Sequence, residues 1–189
     1  MTDEHAAPRE DVHEPAEPAD TSGDEVVAAV VAKFPGTVGV DSHGQAVAYV
    51  DRANWKAVAQ HLRDEERFTQ CVDLTAVDHL LDVERVVPAG VDGARFEVVA
   101  NFLSHPRNRR IRAICEVDAA DATIDTLVDL YPSVAFAERE VFDLYGVNFT
   151  GHQDLARILM PDDWIGHPLR KDDPPARVPV TFKEDPGPR

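Results

Sequence analysis

The sequence has little cysteine and little basic charge. Its 189 residues include two cysteines, Cys71 and Cys115, too few for a disulfide framework or for the four thiolates that an iron–sulfur cluster usually needs. Lys and Arg number 19 against 35 Asp and Glu, which gives a formal net charge of −16. A chain this acidic repels phosphate backbones and anionic lipid, so binding to nucleic acid or to a membrane surface is disfavoured.

Long apolar runs and glycine-rich phosphate loops are also missing. The longest purely apolar run, residues 26–32, ends at Lys33, whereas a membrane-spanning helix needs about 20 such residues. The N-terminus lacks the basic and apolar regions of a secretory signal, so we expect a cytosolic chain with reduced thiols. No glycine-rich turn joins a strand to a helix, which disfavours a doubly wound nucleotide-binding fold.

The hydrophobic content of 43% is enough for a core, and the length predicts one domain with tails. We divide the chain into an acidic tail (1–23), an α+β domain (24–150) and an extended arm (151–189). Residues 1–24 carry eight acids and one base, Arg9, so we interpret the tail as disordered and solvating, with a specific role as the alternative. The arm, from Pro161 onward, holds seven of the 14 prolines together with large apolar side chains that need a surface to cover them. We therefore predict that the arm docks on a partner protein, and that residues 172–189 become ordered only there.

Hydrophobic periodicity predicts the elements of the domain. Ser22 and Glu25 are typical of a capping box before a helix that ends before Pro35. The stripe Trp55, Val58, Ala59 and Leu62 predicts a second helix. Predicted strands cover 37–40, 46–50, 68–77, 83–87, 95–103 and 109–117, with a hairpin turn at Asp92-Gly93. The spacing of Ile124, Leu127, Val128 and Tyr131 predicts a helix that Pro132 stops. This order favours an α+β fold: two layers, with a mostly antiparallel sheet covered on one face by helices.

A further helix is predicted over Glu138–Tyr145, with Gly146 as the residue that ends it. Arg139 and Asp143 are four positions apart and are predicted to pair on its surface. Glu138 lies at the margin of the apolar face, where a carboxylate needs a partner.

From this helix onward the sequence carries a long and specific motif. Its residues lie between positions 138 and 172. They are Glu138, Arg139, Glu140, Asp143, Gly146, Phe149, Gly151, His152, Arg157, Met160, Pro161, Asp163, Trp164, Gly166, His167, Pro168, Arg170, Lys171 and Asp172. This run closely resembles the signature of the C subunit of proton-translocating NADH-quinone oxidoreductase, respiratory complex I. The sequence departs from the family pattern at Ala137, Gln153 and Asp173.

The resemblance implies a peripheral subunit on the cytoplasmic side of the cell membrane, with no catalytic, cofactor-binding or metal-binding residue of its own. Flavin, iron–sulfur clusters, NADH and quinone would be bound by partner subunits. The chain would scaffold the terminal iron–sulfur subunit and the large quinone-site subunit, around which its C-terminal arm would wrap. The signature residues are then predicted to form the subunit interface.

Other functions stay open on the residues alone. The equivalent subunit of an energy-converting hydrogenase, or of a related donor-linked quinone reductase, is the nearest alternative, and an acidic adaptor outside redox chemistry is the most distant. A stand-alone metal hydrolase would use His152, Asp154 and His167, with Asp162 and Asp163 nearby, because these are suitable ligand types. No tight His-Glu-x-x-His motif supports it.

One basic cluster stands out in this acidic chain, and its members are Arg107, Arg109, Arg110 and Arg112. Surface pairing with cross-strand acids such as Glu97, or contact with an acidic partner subunit, would both account for it.

Overall fold

A computed structural model describes residues 23–173. Its elements, in chain order, are α1 (Glu25–Lys33), β1 (Val38–Ser42), β2 (Gln45–Tyr49), α2 (Trp55–Asp64), β3 (Gln70–Asp78), β4 (Phe96–Ser104), β5 (Arg109–Val117), β6 (Thr123–Asp125), α3 (Ala135–Tyr145) and β7 (Asn148–Thr150). The predicted acidic tail, except its last residue, and the last 16 positions of the predicted arm lie outside the described residues.

The first helix begins on a different cap from the predicted one. Asp24 accepts hydrogen bonds from the backbone amides of Val26 and Val27, at 2.9 and 3.1 Å, so it takes the role assigned to Ser22. The helix ends at Lys33, as expected before Pro35, since proline disfavours helical geometry in the residue before it.

The predicted α+β architecture is confirmed. A five-stranded sheet has the order β1-β2-β5-β4-β3, in which all neighbouring pairs are antiparallel except β2 and β5. The β1–β2 hairpin turns at His43 and Gly44, whose positive φ values of 55° and 78° suit the twist of a two-residue turn. β6 and β7 form a separate parallel pair.

The core lies between the helices and one face of the sheet, called the inner face below. Each inward position predicted for β4 and β5 is buried, and so is the predicted stripe of α2. These side chains are Phe96, Val98, Ala100, Phe102, Ile111, Ala113, Cys115, Val117, Trp55, Val58, Ala59 and Leu62. The opposite face, called the outer face, carries a small apolar cluster around Val47 and Ile114.

The predicted strand at 83–87 and the hairpin at Asp92-Gly93 are wrong. Residues 79–95 form an irregular connection between β3 and β4, with Val83 93% exposed. Glu97 and Glu116 face each other across β4 and β5, and two like charges in such a pair need a cation between them. Arg85 supplies this cation by pairing with both carboxylates. These two ion pairs hold the connection between β3 and β4 over the outer face.

The helix predicted over 124–131 is also wrong, although three of its four apolar residues are buried. Ile124 belongs to β6 and pairs with Phe149 of β7, while Leu127 and Tyr131 enter the core from turns. The backbone amide of Leu127 donates to a carboxylate of α3 at 2.7 Å instead of to a helical carbonyl. Tertiary hydrogen bonding therefore overrides the local periodicity.

Candidate subunit interface

The signature residues are brought together by α3 and by the chain that follows it. Residues 138–145 lie on α3, Gly146 ends it with φ 74°, and buried Phe149 lies on β7. Residues 151–173 contain turns and bends without a helix or strand, and we call them the clasp. Most of the polar signature side chains hold the clasp to the domain.

Glu138 is fully buried and does not lie at the margin of the apolar face. Its carboxylate accepts hydrogen bonds from the hydroxyl of Thr126, at 2.5 Å, and from the backbone amide of Leu127, at 2.7 Å. Burial raises the pKa of Glu138, and these two hydrogen bonds oppose that rise. The sequence predicted that this carboxylate needs a partner. Thr126 and Leu127, in the turn after β6, provide it.

Asp143 of α3 is the main anchor of the clasp. One oxygen of its fully buried carboxylate accepts from three consecutive backbone amides, those of Ile158, Leu159 and Met160, at 2.8–3.0 Å. The other oxygen pairs with Arg157 at 2.6 Å. Burial alone would raise the pKa of Asp143, but the amides and the guanidinium outweigh it and lower the pKa to about 2.

Arg139 therefore does not pair with Asp143 as predicted. Its Nε and Nη2 donate to the carbonyl oxygens of Ala156 and Arg157, both at 3.0 Å, and its Nη1 lies 3.6 Å from the Asp154 carboxylate. The two residues lie four apart on α3, yet each binds the clasp, because the clasp offers more hydrogen-bonding groups than one exposed ion pair does.

The end of α3 is packed tightly against the second half of the clasp. His167 Nδ1 donates to the carbonyl of Asp143 at 2.9 Å, and Arg170 Nε donates to the carbonyl of Tyr145 at 2.5 Å. These carbonyls are among those that a helix leaves without an internal partner. A Cβ added to Gly146 would lie 2.6 Å from His167 Nε2 and 2.7 Å from Arg170 Nη2.

A second buried carboxylate, Asp78, fixes the last part of the clasp to the sheet. It binds Arg95 through two hydrogen bonds, at 2.8 and 3.0 Å, and accepts from the amide of Lys171 at 2.8 Å. Asp172 pairs with the same arginine at 2.5 Å. Burial opposes ionisation of Asp78, but Arg95 and the amides lower its pKa to about 2.

The sequence analysis missed Asp78 and Arg95. Asp78 is the last residue of β3 and Arg95 directly precedes β4, and an acid and a base at facing ends of neighbouring strands were the available signal. The pairing of Asp78 with Arg95 was not predicted because a long connection separates the two strands in the sequence.

Several apolar side chains on α3 and the clasp face solvent. Phe136 is 66% exposed, Leu159 60% and Ile165 93%. The backbone amide of Leu159 donates to Asp143, while its side chain faces solvent. The remaining signature positions divide by exposure: Glu140, Gly151, Pro161, Asp163, Lys171 and Asp172 are exposed, whereas His152, Met160, Trp164, Gly166 and Pro168 are half-buried.

The residues of the metal-hydrolase alternative do not converge. His152 Nε2 donates to the carbonyl of Ala135 and its Nδ1 accepts from the amide of Asp154, both at 3.1 Å, so both ring nitrogens are used by backbone. Between residues 23 and 173, no three His, Cys, Asp or Glu side chains are placed to share a metal ion. Asp162 and Asp163 are exposed in the turn before Trp164.

The basic cluster is partly neutralised within the chain. Arg107 pairs with Glu66 at 2.6 Å, and Arg109 pairs with Asp24. The pairing predicted with Glu97 is wrong, because that carboxylate is held by Arg85. Arg110 and Arg112 share the outer face, as expected.

Both cysteines are buried, and burial raises the pKa of each thiol to about 12. Their thiols therefore stay protonated at neutral pH and behave as small core side chains. In the part of the chain that the structure describes, no helix is long and apolar enough to cross a membrane.

Comparison with known proteins gives a consistent result. The family model "Respiratory-chain NADH dehydrogenase, 30 Kd subunit" matches residues 48–178. The C subunit of the NADH-quinone oxidoreductase from Herpetosiphon aurantiacus is 43% identical over 155 residues, which are 81% of this chain and 85% of that protein. The protein of the same name from Saccharopolyspora erythraea is 38% identical over 142 residues, 74% of this chain, and the match spans 53% of that longer relative.

Two solved structures share the fold. A trypsin-resistant fragment of Nqo5 (1–134) matches with a TM-score of 0.59 and 29% identity, covering 69% of this chain and 96% of the fragment. A chain of a membrane-bound sulfane sulfur reductase, described as an archaeal respiratory membrane complex, matches with a TM-score of 0.60, covering 88% of this chain and 98% of its own. At 22% identity, this second match shows the fold alone.

Proposed function

This chain belongs to the family of the respiratory-chain NADH dehydrogenase 30 Kd subunit, and we propose that it is a structural subunit, without an active site of its own, of the peripheral arm of a proton-translocating NADH-quinone oxidoreductase. It acts on the cytoplasmic side of the cell membrane, which it reaches through the complex. NADH, flavin, the iron–sulfur clusters and quinone are bound by partner subunits. Its direct partners are the large quinone-site subunit and the terminal iron–sulfur subunit.

The clasp is the observation that supports this role. Asp143, Arg139, His167 and Arg170 each hydrogen-bond backbone atoms of the same chain. Side chains used in this way fix the shape of a surface and are not poised to exchange protons with a substrate. This use of the signature side chains supports a structural role.

The surface that this shape presents suits a protein partner. Phe136, Leu159 and Ile165 are large apolar side chains held outward by a backbone that is anchored from within. Exposed apolar groups on an anchored scaffold are typical of interfaces. Electron transfer and quinone docking tolerate little misplacement, so a scaffold that fixes two neighbouring subunits is essential without touching the substrate.

Affinity capture of the tagged full chain from its own host tests the proposal. We expect the large quinone-site subunit, the terminal iron–sulfur subunit and a flavin-bearing NADH-oxidising module to co-purify. Capture of a nickel-bearing large subunit instead would favour the energy-converting hydrogenase alternative. Capture of neither set would contradict both.

Loss of the chain gives the functional test. In a deletion strain, quinone-linked, inhibitor-sensitive NADH oxidation by membranes is expected to disappear, because the quinone-site subunit loses its support. NADH oxidation by an artificial acceptor at the flavin module should persist wherever that module still assembles. Quinone-linked activity at the wild-type rate, or steady NADH oxidation by the purified chain, would refute the proposal.

Arg139→Ala is expected to weaken both the fold and assembly, because Arg139 holds the clasp to α3. The substitution removes two hydrogen bonds to the clasp backbone at the half-buried Arg139, a loss of about 1–3 kcal/mol in the free chain. It also frees the backbone near Leu159, so capture of the partner subunits should fall several-fold. Thermal melts of the free chain and capture yields measured side by side decide this. A large drop in melting temperature with unchanged capture would assign Arg139 to folding alone.

A further inference from the structure

A basic cavity lies on the outer face of the sheet, away from α3 and the clasp. It encloses about 580 Å³ where β5 begins, beside the β1–β2 hairpin. Its polar lining consists of Arg109, Arg110, Arg112, Asn101, Gln45 and the two carboxylates of Asp24 and Asp73. No role in the clasp or in the proposed subunit interface uses this cavity.

Two guanidinium groups in the cavity have no acidic partner between residues 23 and 173. Among the described residues, neither Arg110 nor Arg112 has a carboxylate within 4.0 Å, whereas Arg109 is paired with Asp24. Arg112 is oriented by neutral oxygens, donating to Gln45 Oε1 at 2.6 Å and to Asn101 Oδ1 at 3.4 Å. A guanidinium held by amide oxygens keeps its full charge and its remaining donors for a carboxylate ligand.

The acidic segment of the same chain directly precedes a residue that lines this cavity. Asp24 lines it, and residues 1–22, which directly precede Gly23 and Asp24, contain seven acids and one base. Asp20 and Glu17 stand four and seven positions before Asp24, and an extended chain covers about 3.3 Å per residue, so both lie within reach of Arg110 and Arg112. A short tether gives the segment an effective local concentration in the millimolar range.

We propose that the chain's own acidic segment, residues 1–22, binds the basic cavity through Arg110 and Arg112. The Asp24–Arg109 pair is the first contact of this interaction, and the acids before it continue the pairing along β5. Under this proposal the acidic tail has the specific role that was the alternative in the sequence analysis. The basic cavity is the surface that it binds.

The test keeps the chain at full length. One variant replaces the seven acids of residues 1–22 with Asn or Gln, and a synthetic peptide of residues 1–22 serves as the probe. We expect the peptide to bind the neutralised variant at least tenfold more tightly than it binds the unaltered chain, with an affinity that falls as salt is added. In NMR spectra, neutralisation should shift the side-chain signals of Arg112, Gln45 and Asn101.

Two further variants assign the effect to the cavity. Arg110→Gln/Arg112→Gln, made in the neutralised chain, should reduce peptide binding at least tenfold. Lys33→Gln/Arg52→Gln removes the same charge from exposed residues that do not line the cavity and should leave binding within twofold. Equal peptide binding by the unaltered and neutralised chains, or equal losses in the two double variants, would overturn the proposal. Stronger binding of an unrelated acidic peptide than of residues 1–22 would instead assign the cavity to a partner protein and would also overturn it.

Discussion

Asp143→Asn is expected to lower the free energy of unfolding by about 3–5 kcal/mol, because it removes one partner of a buried ion pair. Arg157 would keep its charge in a half-buried position, and the backbone amides of residues 158–160 would lose a charged acceptor. Denaturant unfolding of the full chain measures this change. Release of the clasp should also abolish capture of the partner subunits.

Asp163→Asn is the matched control for this substitution. Asp163 lies in the same clasp but is exposed, so its replacement should change the unfolding free energy by less than about 0.5 kcal/mol. Similar losses in the two variants would mean that the Asp143 carboxylate does not anchor the clasp.

The same carboxylate should contribute to acid sensitivity. Its pKa of about 2 in the folded chain lies below the value of about 3.9 of an unfolded aspartate, so its stabilisation is complete above roughly pH 4 and is lost as the pH falls towards 2. The slope of stability against pH in this window should be shallower in Asp143→Asn than in the unaltered chain. An unchanged slope would contradict the lowered pKa.

Gly146→Ala is expected to cost about 3 kcal/mol or more, from two separate causes. At φ 74° the backbone of residue 146 is left-handed, which costs a non-glycine residue about 1–2 kcal/mol. In addition, the new Cβ would meet the imidazole of His167, whose ring is fixed by its hydrogen bond to Asp143, and the guanidinium of Arg170. Moving these groups breaks contacts that hold the clasp to the end of α3.

Gly44→Ala separates the two causes. Gly44 has nearly the same φ, 78°, but a Cβ there meets no atom within 4 Å. We therefore expect a loss of about 1–2 kcal/mol from backbone conformation alone. Urea unfolding of both variants gives the difference, which measures the close packing at Gly146. Equal losses would show that His167 and Arg170 move aside freely.

Local patterns predicted those elements whose burial follows a single period. β4 and β5 carry an apolar residue at every second position on the inner face, and α2 carries an apolar stripe, so sequence and structure agree within a residue or two. Such elements bury one face against the core, and the period of that face is visible in the sequence.

Predictions from hydrophobic periodicity were wrong where a charged side chain forms a tertiary contact that fixes the segment in another conformation. Residues 124–131 have helical spacing, yet Glu138 binds the amide of Leu127 and β7 pairs with β6. The valines at 83 and 86 suggested a strand, but Arg85 between them fixes the chain to Glu97 and Glu116.

By itself, the sequence determined the family, the α+β class and the residues that carry the signature. These follow from residue identity and from periodicity, which are local properties. Only the tertiary structure decided what the signature side chains bind. Arg139 and Asp143 are suitably spaced to pair with each other, but each binds the clasp instead. Asp78 and Arg95 anchor a segment more than 75 residues away from them. The partner of a buried charge depends on which groups folding brings close to it. The spacing of residues along the sequence does not contain that information.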